Sequence, residues 1–137
     1  MQDPHGGLMS DFSTYGPTFD FKFKPSISAP GGNIMSTYPV ANGSFAVLSG
    51  TSMATPYVAG GAALLLAAKG KGAAKCSKTL FETTSNMIPA TKEDSGSFDT
   101  ASKAGAGLIN VYKAIHSKTI VSPGELVLND TTHFQGK

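Results

Sequence analysis

Phenylalanines at positions 19, 21 and 23 alternate with Asp20, Lys22 and Lys24, the two-residue period of a strand with one buried face, and Pro17 and Pro25 bracket it. A strand is therefore predicted over 18–24. Ahead of it, Pro4, Gly6 and Gly7 break any period, so the first ten residues read as a loop. Behind it, residues 26–39 mix short extended pieces with Pro30, Gly31 and Gly32, which predicts tight turns where backbone meets backbone. A second short strand, 44–48, runs into Ser49 and Gly50.

The stretch 53–68 carries no charge and is apolar or small on every side, which predicts a helix with no solvent face, buried all round. Pro56 is expected in its first turn, where a missing N–H costs no hydrogen bond, and this puts Ser52 at or just before the helix start. Gly60, Gly61, Ala62 and Ala63 remove bulk in mid-helix and predict a close neighbour. After Gly70 and Gly72, residues 75–86 read as an amphipathic helix with Cys76, Leu80 and Phe81 near one face. Residues 91–103 are polar and aperiodic, a surface loop. The last helix is predicted over 104–117, with Leu108, Val111, Tyr112 and Ile115 at helical spacing. Beyond a turn at Pro123 and Gly124, an apolar stretch at 125–128 predicts a strand of a different module.

Composition narrows the possibilities. A chain of 137 residues, 40% hydrophobic, holds one core. Its net charge of +2 includes no basic block able to follow a phosphate backbone, so nucleic acid is not an expected partner. The run 53–68 falls short of the roughly 20 apolar residues of a membrane span, so no membrane is expected either. The single cysteine, Cys76, allows no internal disulfide and no cysteine-based zinc site, and is read as a packed apolar residue. No secretory signal peptide is visible at the N-terminus. Sequons at Asn42 and Asn129 are compatible with secretion.

Ser52 admits two readings. Serine is a favoured N-cap, accepting a hydrogen bond from the first helical turn. Yet Thr51 is an equally good cap one residue earlier. A strand, a glycine-containing turn, a serine and then a helix also hold a hydroxyl beside backbone N–H groups and the positive helix end, as a developing oxyanion needs.

Gly50-Thr51-Ser52-Met53-Ala54-Thr55-Pro56, followed by Val58-Ala59-Gly60, closely resembles the serine motif of the subtilisin-like serine proteases. The segments at 11–17, 24–32, Ser36-Thr37 and 105–115 resemble other parts of that family in the same order, so the resemblance covers about residues 8–116. Residues 121–134 are similar to the start of the fibronectin-like β domain that follows the protease domain in large extracellular members.

The resemblance implies an α/β fold: the C-terminal fragment of a doubly wound, mostly parallel sheet with a buried central helix, and a short β segment at the C-terminus. Residues 1–116 would form the C-terminal portion of the catalytic domain, and 117–137 a linker and the start of the β domain. Ser52 matches the nucleophile and its N–H an oxyanion-hole donor; Thr51 matches a residue supporting that hole, and Met53 the substrate-cleft neighbour of the nucleophile. Tyr57 departs from a common non-catalytic histidine, and Ser26 from a common aspartate. The family's triad runs Asp, His, Ser along the chain. The aspartate, the histidine and the oxyanion-hole asparagine would precede this segment. His5, after Asp3, lacks the family's histidine motif, and His116 and His133 follow the serine.

The expected function is therefore the C-terminal part of a secreted serine endopeptidase acting on polypeptide, inactive as an isolated chain. The alternative is a truncated, protease-derived protein with a binding or signalling role, and a fragment with no function of its own is a third. The missing N-terminal part of the catalytic domain is the expected partner, and without it the chain should be marginally stable, rearranged or associated. No cofactor is expected; calcium occurs in many relatives, but no acidic cluster matches a metal site. The parent protein is expected to be extracellular.

Overall fold

The computed structural model describes residues 6–93 and 96–124. Two strands, β1 (Ile34–Thr37) and β2 (Phe45–Leu48), pair antiparallel with Ile34 opposite Leu48 and Thr37 opposite Phe45. A 3-10 turn at Val40–Asn42 joins them. Helix α1 (Thr51–Lys69) follows, then a second 3-10 turn (Lys71–Cys76), α2 (Ser77–Thr84), α3 (Ala101–Ala104) and α4 (Val111–His116). Asn110 caps α4, its side-chain oxygen accepting from the Lys113 N–H at 2.9 Å.

One core holds these helices together. Leu65 of α1, Leu80 and Phe81 of α2, Ile109, and Ala114 of α4 are buried in contact, and Val58, Ala62, Cys76, Val111 and Ile115 pack around them. The close approach predicted for the mid-helix glycines occurs at Gly61: a Cβ there would lie 2.8 Å from Val111 Cγ2. Beside this core, Leu108 bridges Ser28 in parallel and Asn86 antiparallel. Gly107, at φ 116°, lets the chain pass where a Cβ would sit 2.2 Å from the Asn86 oxygen.

The α/β class stands, as do α1, α2 and the short strand after position 44. The named sheet among the described residues is a two-stranded antiparallel ribbon rather than a parallel sheet. Several expectations are corrected. Residues 18–24 form a turn, not a strand: Thr18 N–H donates to Lys22 O and Phe21 N–H to Thr18 O, both at 2.9 Å, and Phe21 is at φ 58°. The Thr18 hydroxyl accepts from the Lys22 N–H and so competes with any ladder. Phe19 is fully exposed, so the alternation buries no face.

The last helix begins at Val111 rather than 104: Ala104 ends α3, and glycines 105 and 107, held against neighbouring backbone, carry the chain through a turn into the Leu108 bridges. Tyr112 points to solvent. The loop predicted over 91–103 contains the bridge Pro89–Phe98 and the start of α3. Helix α1 is not buried all round: only Gly61 and Leu65 are fully covered, and Tyr57 and Leu64 are exposed on other faces. At 19 residues α1 is, among the described residues, the one helix long and apolar enough to cross a membrane by length and composition. The strand expected at 125–128 lies outside the described residues.

Candidate active site

The turn between β2 and α1 is built from backbone and small side chains. Gly50 N–H donates to Gly31 O at 2.8 Å, and Asn33 N–H donates to the Ser49 hydroxyl at 2.8 Å. Gly31 permits this approach, since a Cβ there would lie 2.8 Å from the Gly50 oxygen and 3.3 Å from the Ala54 Cβ. Two segments of low complexity thus clamp the start of α1 in place. Asn33, Ser49 and Gly31 escaped the candidate set; their signal was the Gly31-Gly32 pair, which already implied close backbone contact.

Gly50, not Ser52 or Thr51, is the N-cap of α1, and no side chain caps it. Met53 N–H donates to Gly50 O at 3.0 Å, and the Thr55 hydroxyl to Thr51 O at 2.9 Å. Ser52 is therefore the second residue of the helix, exposed, and neither its hydroxyl nor its N–H has a hydrogen-bond partner among the described residues. Thr51 beside it is exposed and Met53 is half-buried. Pro56 falls in the second turn rather than the first, so the Ser52 carbonyl loses its helical donor as well. The result is a serine with a free hydroxyl and a free N–H at the positive end of a long helix.

Among the described residues no base is brought to it by a hydrogen bond. His116 lies at the end of α4, its Nδ1 2.8 Å from Tyr112 O and its ring 4.1 Å from the Tyr112 ring centroid. Asp3, His5 and His133 lie outside the described residues. Three of the described carboxylates engage lysines, Asp20 with Lys22, Glu82 with Lys78 and Asp99 with Lys103. Shifted pKa values also fall elsewhere. Hydrogen bonds from Thr18 and then Lys22 hold the Asp20 carboxyl below its ordinary value. Desolvation pushes Lys103 down, but the hydrogen bond and charge of Asp99, with Tyr15, outweigh it and leave the ammonium raised. Activated groups should cluster at a working site, and neither is near Ser52 in the hydrogen-bond network.

Among the described residues, one cavity of about 390 Å³ lies against Lys69, Cys76, Leu80 and Ser117, and another of about 260 Å³ against Met9, Asp11, Asp99 and Lys103. Neither is lined by Ser52. Among the described residues no group of three or more His, Cys, Asp or Glu could hold a metal ion. What the arrangement offers is one exposed hydroxyl and one unbonded N–H at the start of a helix, on an open surface.

Residues 3–108 match the model of the subtilase family, and the chain belongs to that family, whose members are serine proteases. It is 36% identical over 124 residues to the minor extracellular protease Vpr of Bacillus subtilis, covering 87% of this chain and 15% of Vpr. It is 42% identical over 106 residues to thermitase of Thermoactinomyces vulgaris, covering 77% of this chain and 31% of thermitase. Among solved structures, the prenylagaramide maturation protease PagA superposes with a TM-score of 0.60 at 35% identity, over 80% of this chain and 38% of that one. The chain thus spans well under half the length of these relatives.

Proposed function

We propose that this chain is the C-terminal part of the catalytic domain of a secreted subtilisin-like serine endopeptidase, with residues 1–116 in that domain and 117–137 leading to a β domain. The observation that carries the reading is Ser52, exposed and unpartnered at the start of α1 within the Gly50-Thr51-Ser52-Met53 motif. In the assembled enzyme Ser52 Oγ attacks the peptide carbonyl while a histidine from preceding polypeptide, oriented by an aspartate, takes its proton. The Ser52 N–H and a neighbouring asparagine stabilise the oxyanion, Thr51 supports that hole, and Met53 borders the leaving-group side. The histidine then protonates the leaving amine, and water releases the acyl-enzyme.

The exposed faces of α1 support the same reading. In a doubly wound sheet the central helix is covered on both sides, and Tyr57 and Leu64 are the surface that preceding strands would cover. An extracellular parent is supported by the likeness to Vpr, whose name describes it as extracellular. Among the described residues no acidic cluster offers calcium its oxygen ligands.

Alone, the chain is inactive. A serine hydroxyl without its base is a weak nucleophile, and in subtilisin loss of the triad histidine costs roughly a millionfold in kcat. The test is labelling with a fluorophosphonate probe: the isolated chain should stay unlabelled and become labelled at Ser52 when the preceding catalytic segment is added. Rapid labelling of the chain by itself would reveal a base within it and refute the reading. A second reading is a truncated, protease-derived binding or signalling protein, consistent with no base being hydrogen-bonded to Ser52 among the described residues. Ser52→Ala separates the two, because a biological effect that survives the substitution belongs to the binding protein.

A further inference from the structure

The far end of the β1–β2 ribbon carries a chemistry that peptide hydrolysis does not use. Its turn is closed by Asn42 N–H to Pro39 O at 2.8 Å and Tyr38 N–H to Ser44 O at 2.7 Å. Gly43 at φ 105° and Ser44 at φ 68° reverse the chain in the left-handed region, which glycine adopts freely. Asn42 stands exposed at the tip, and neither its amide nor the Ser44 hydroxyl has a hydrogen-bond partner among the described residues. Asn42-Gly43-Ser44 has an amide, a non-proline residue and a hydroxyl at the spacing of an N-glycosylation acceptor.

We propose that Asn42 is the acceptor of an N-linked oligosaccharide. This rests on the secreted-parent part of the proposed function. The donor is a lipid-pyrophosphate-linked oligosaccharide. The Asn42 Nδ2 forms a bond to the anomeric carbon, the bond from that carbon to the pyrophosphate oxygen breaks, the lipid pyrophosphate leaves with the electron pair, and a transferase base takes the amide proton.

Three features of the ribbon suit a bulky, solvated substituent. The tip has no packed neighbour to displace, since a Cβ on Gly43 would meet nothing within 4 Å. Val40 and Phe45, 83% and 66% exposed beside the turn, are apolar surface that a glycan would shield from other chains. The four-residue strand β2, about 13 Å long at the usual rise, separates the tip from the Ser49-Gly50 turn, so the sugar does not crowd Ser52.

The test translates the full chain behind a cleavable secretory leader in the presence of microsomes, with Asn129→Gln removing the other sequon and a reference sequon appended after Lys137. The leader delivers the chain to the transferase whether or not its parent is secreted, so failure here is distinct from failure of the secreted reading. Protease-protected, leader-cleaved chains should carry two endoglycosidase-sensitive oligosaccharides. One should vanish in Asn42→Gln and in Ser44→Ala and persist in Ser44→Thr. Chains modified only at the reference sequon overturn the proposal.

Discussion

Two adjacent glycines in α1 should respond to the same substitution with opposite sign. Gly60 is exposed and a Cβ there meets nothing within 4 Å, whereas Gly61 is buried and its Cβ would lie 2.8 Å from Val111 Cγ2 and 3.6 Å from Ile109 Cδ1. Alanine in place of a helical glycine gains about 0.8–1.0 kcal/mol from propensity alone. Gly60→Ala should therefore stabilise the isolated chain by about that amount. Gly61→Ala gains the same term but overpacks the contact between α1 and α4, at a cost of about 1–3 kcal/mol. Val111 is β-branched and stiff at χ1, so the methyl cannot swing aside cheaply. Net, Gly61→Ala should range from neutral to roughly 2 kcal/mol destabilising, and the difference between the variants isolates the overpacking cost. Urea titration followed by far-ultraviolet circular dichroism measures both, and a thermal scan should separate them by roughly 4 °C per kcal/mol. Adding Val111→Ala to Gly61→Ala should recover at least about 0.5 kcal/mol as coupling between the two sites. Equal stabilisation by both alanines would refute the close packing of α1 on α4.

Ser52→Ala should leave the stability of the isolated chain within about 0.5 kcal/mol, since Ser52 caps nothing; a loss near 1 kcal/mol in a urea titration would show that it is a cap after all. Asn110→Ala should cost about 0.5–2 kcal/mol and Asn110→Gly only a few tenths, read from the same titration, because the side chain holds the Lys113 N–H. Leu65→Ala, at a fully buried position, should cost about 2–5 kcal/mol and abolish cooperative melting if the chain is marginal. Lys103 is raised above the ordinary lysine value of 10.5, so its contribution is present below that pH and lost as pH rises through the folded value. Melting temperature should fall alkaline of about 10.5 in the native chain. Asp99→Asn should flatten that decline; an unchanged slope would remove Asp99 as the cause.

The parts legible in the sequence are those decided locally or by long uniform stretches. The uncharged run after Ser52 specifies α1, and the spacing of Cys76, Leu80 and Phe81 specifies the buried face of α2. The serine motif made the family legible from a handful of residues. What misled were patterns with two physical solutions. Alternating phenylalanines satisfy a strand only when a partner offers a ladder, and at 18–24 the Thr18 hydroxyl closes a turn instead. Leu108 fits the spacing of α4, yet glycines 105 and 107 are committed to contacts with the backbone of Pro25 and Asn86. The clamp formed by Gly31, Asn33 and Ser49 was hidden because it depends on segments meeting in space, which no spacing along the chain records.

The exposed face of α1 and the idle hydroxyl of Ser52 have one physical origin. A helix with no charged residue between Thr51 and Ala68 contains no means of choosing which face to leave in water, and this chain covers only the side that meets α2 and α4. The face left open begins at the same turn that presents Ser52, with Tyr57 one and a half turns further on. Ser52 and Tyr57 lie about 140° apart around the helix, so a segment covering Tyr57 and Leu64 reaches Ser52 only by also crossing the N-terminal end of α1. On the proposed function, the same preceding polypeptide would both cover that face and bring the base, and the two contacts would be separable by substitutions on the two sides of the helix.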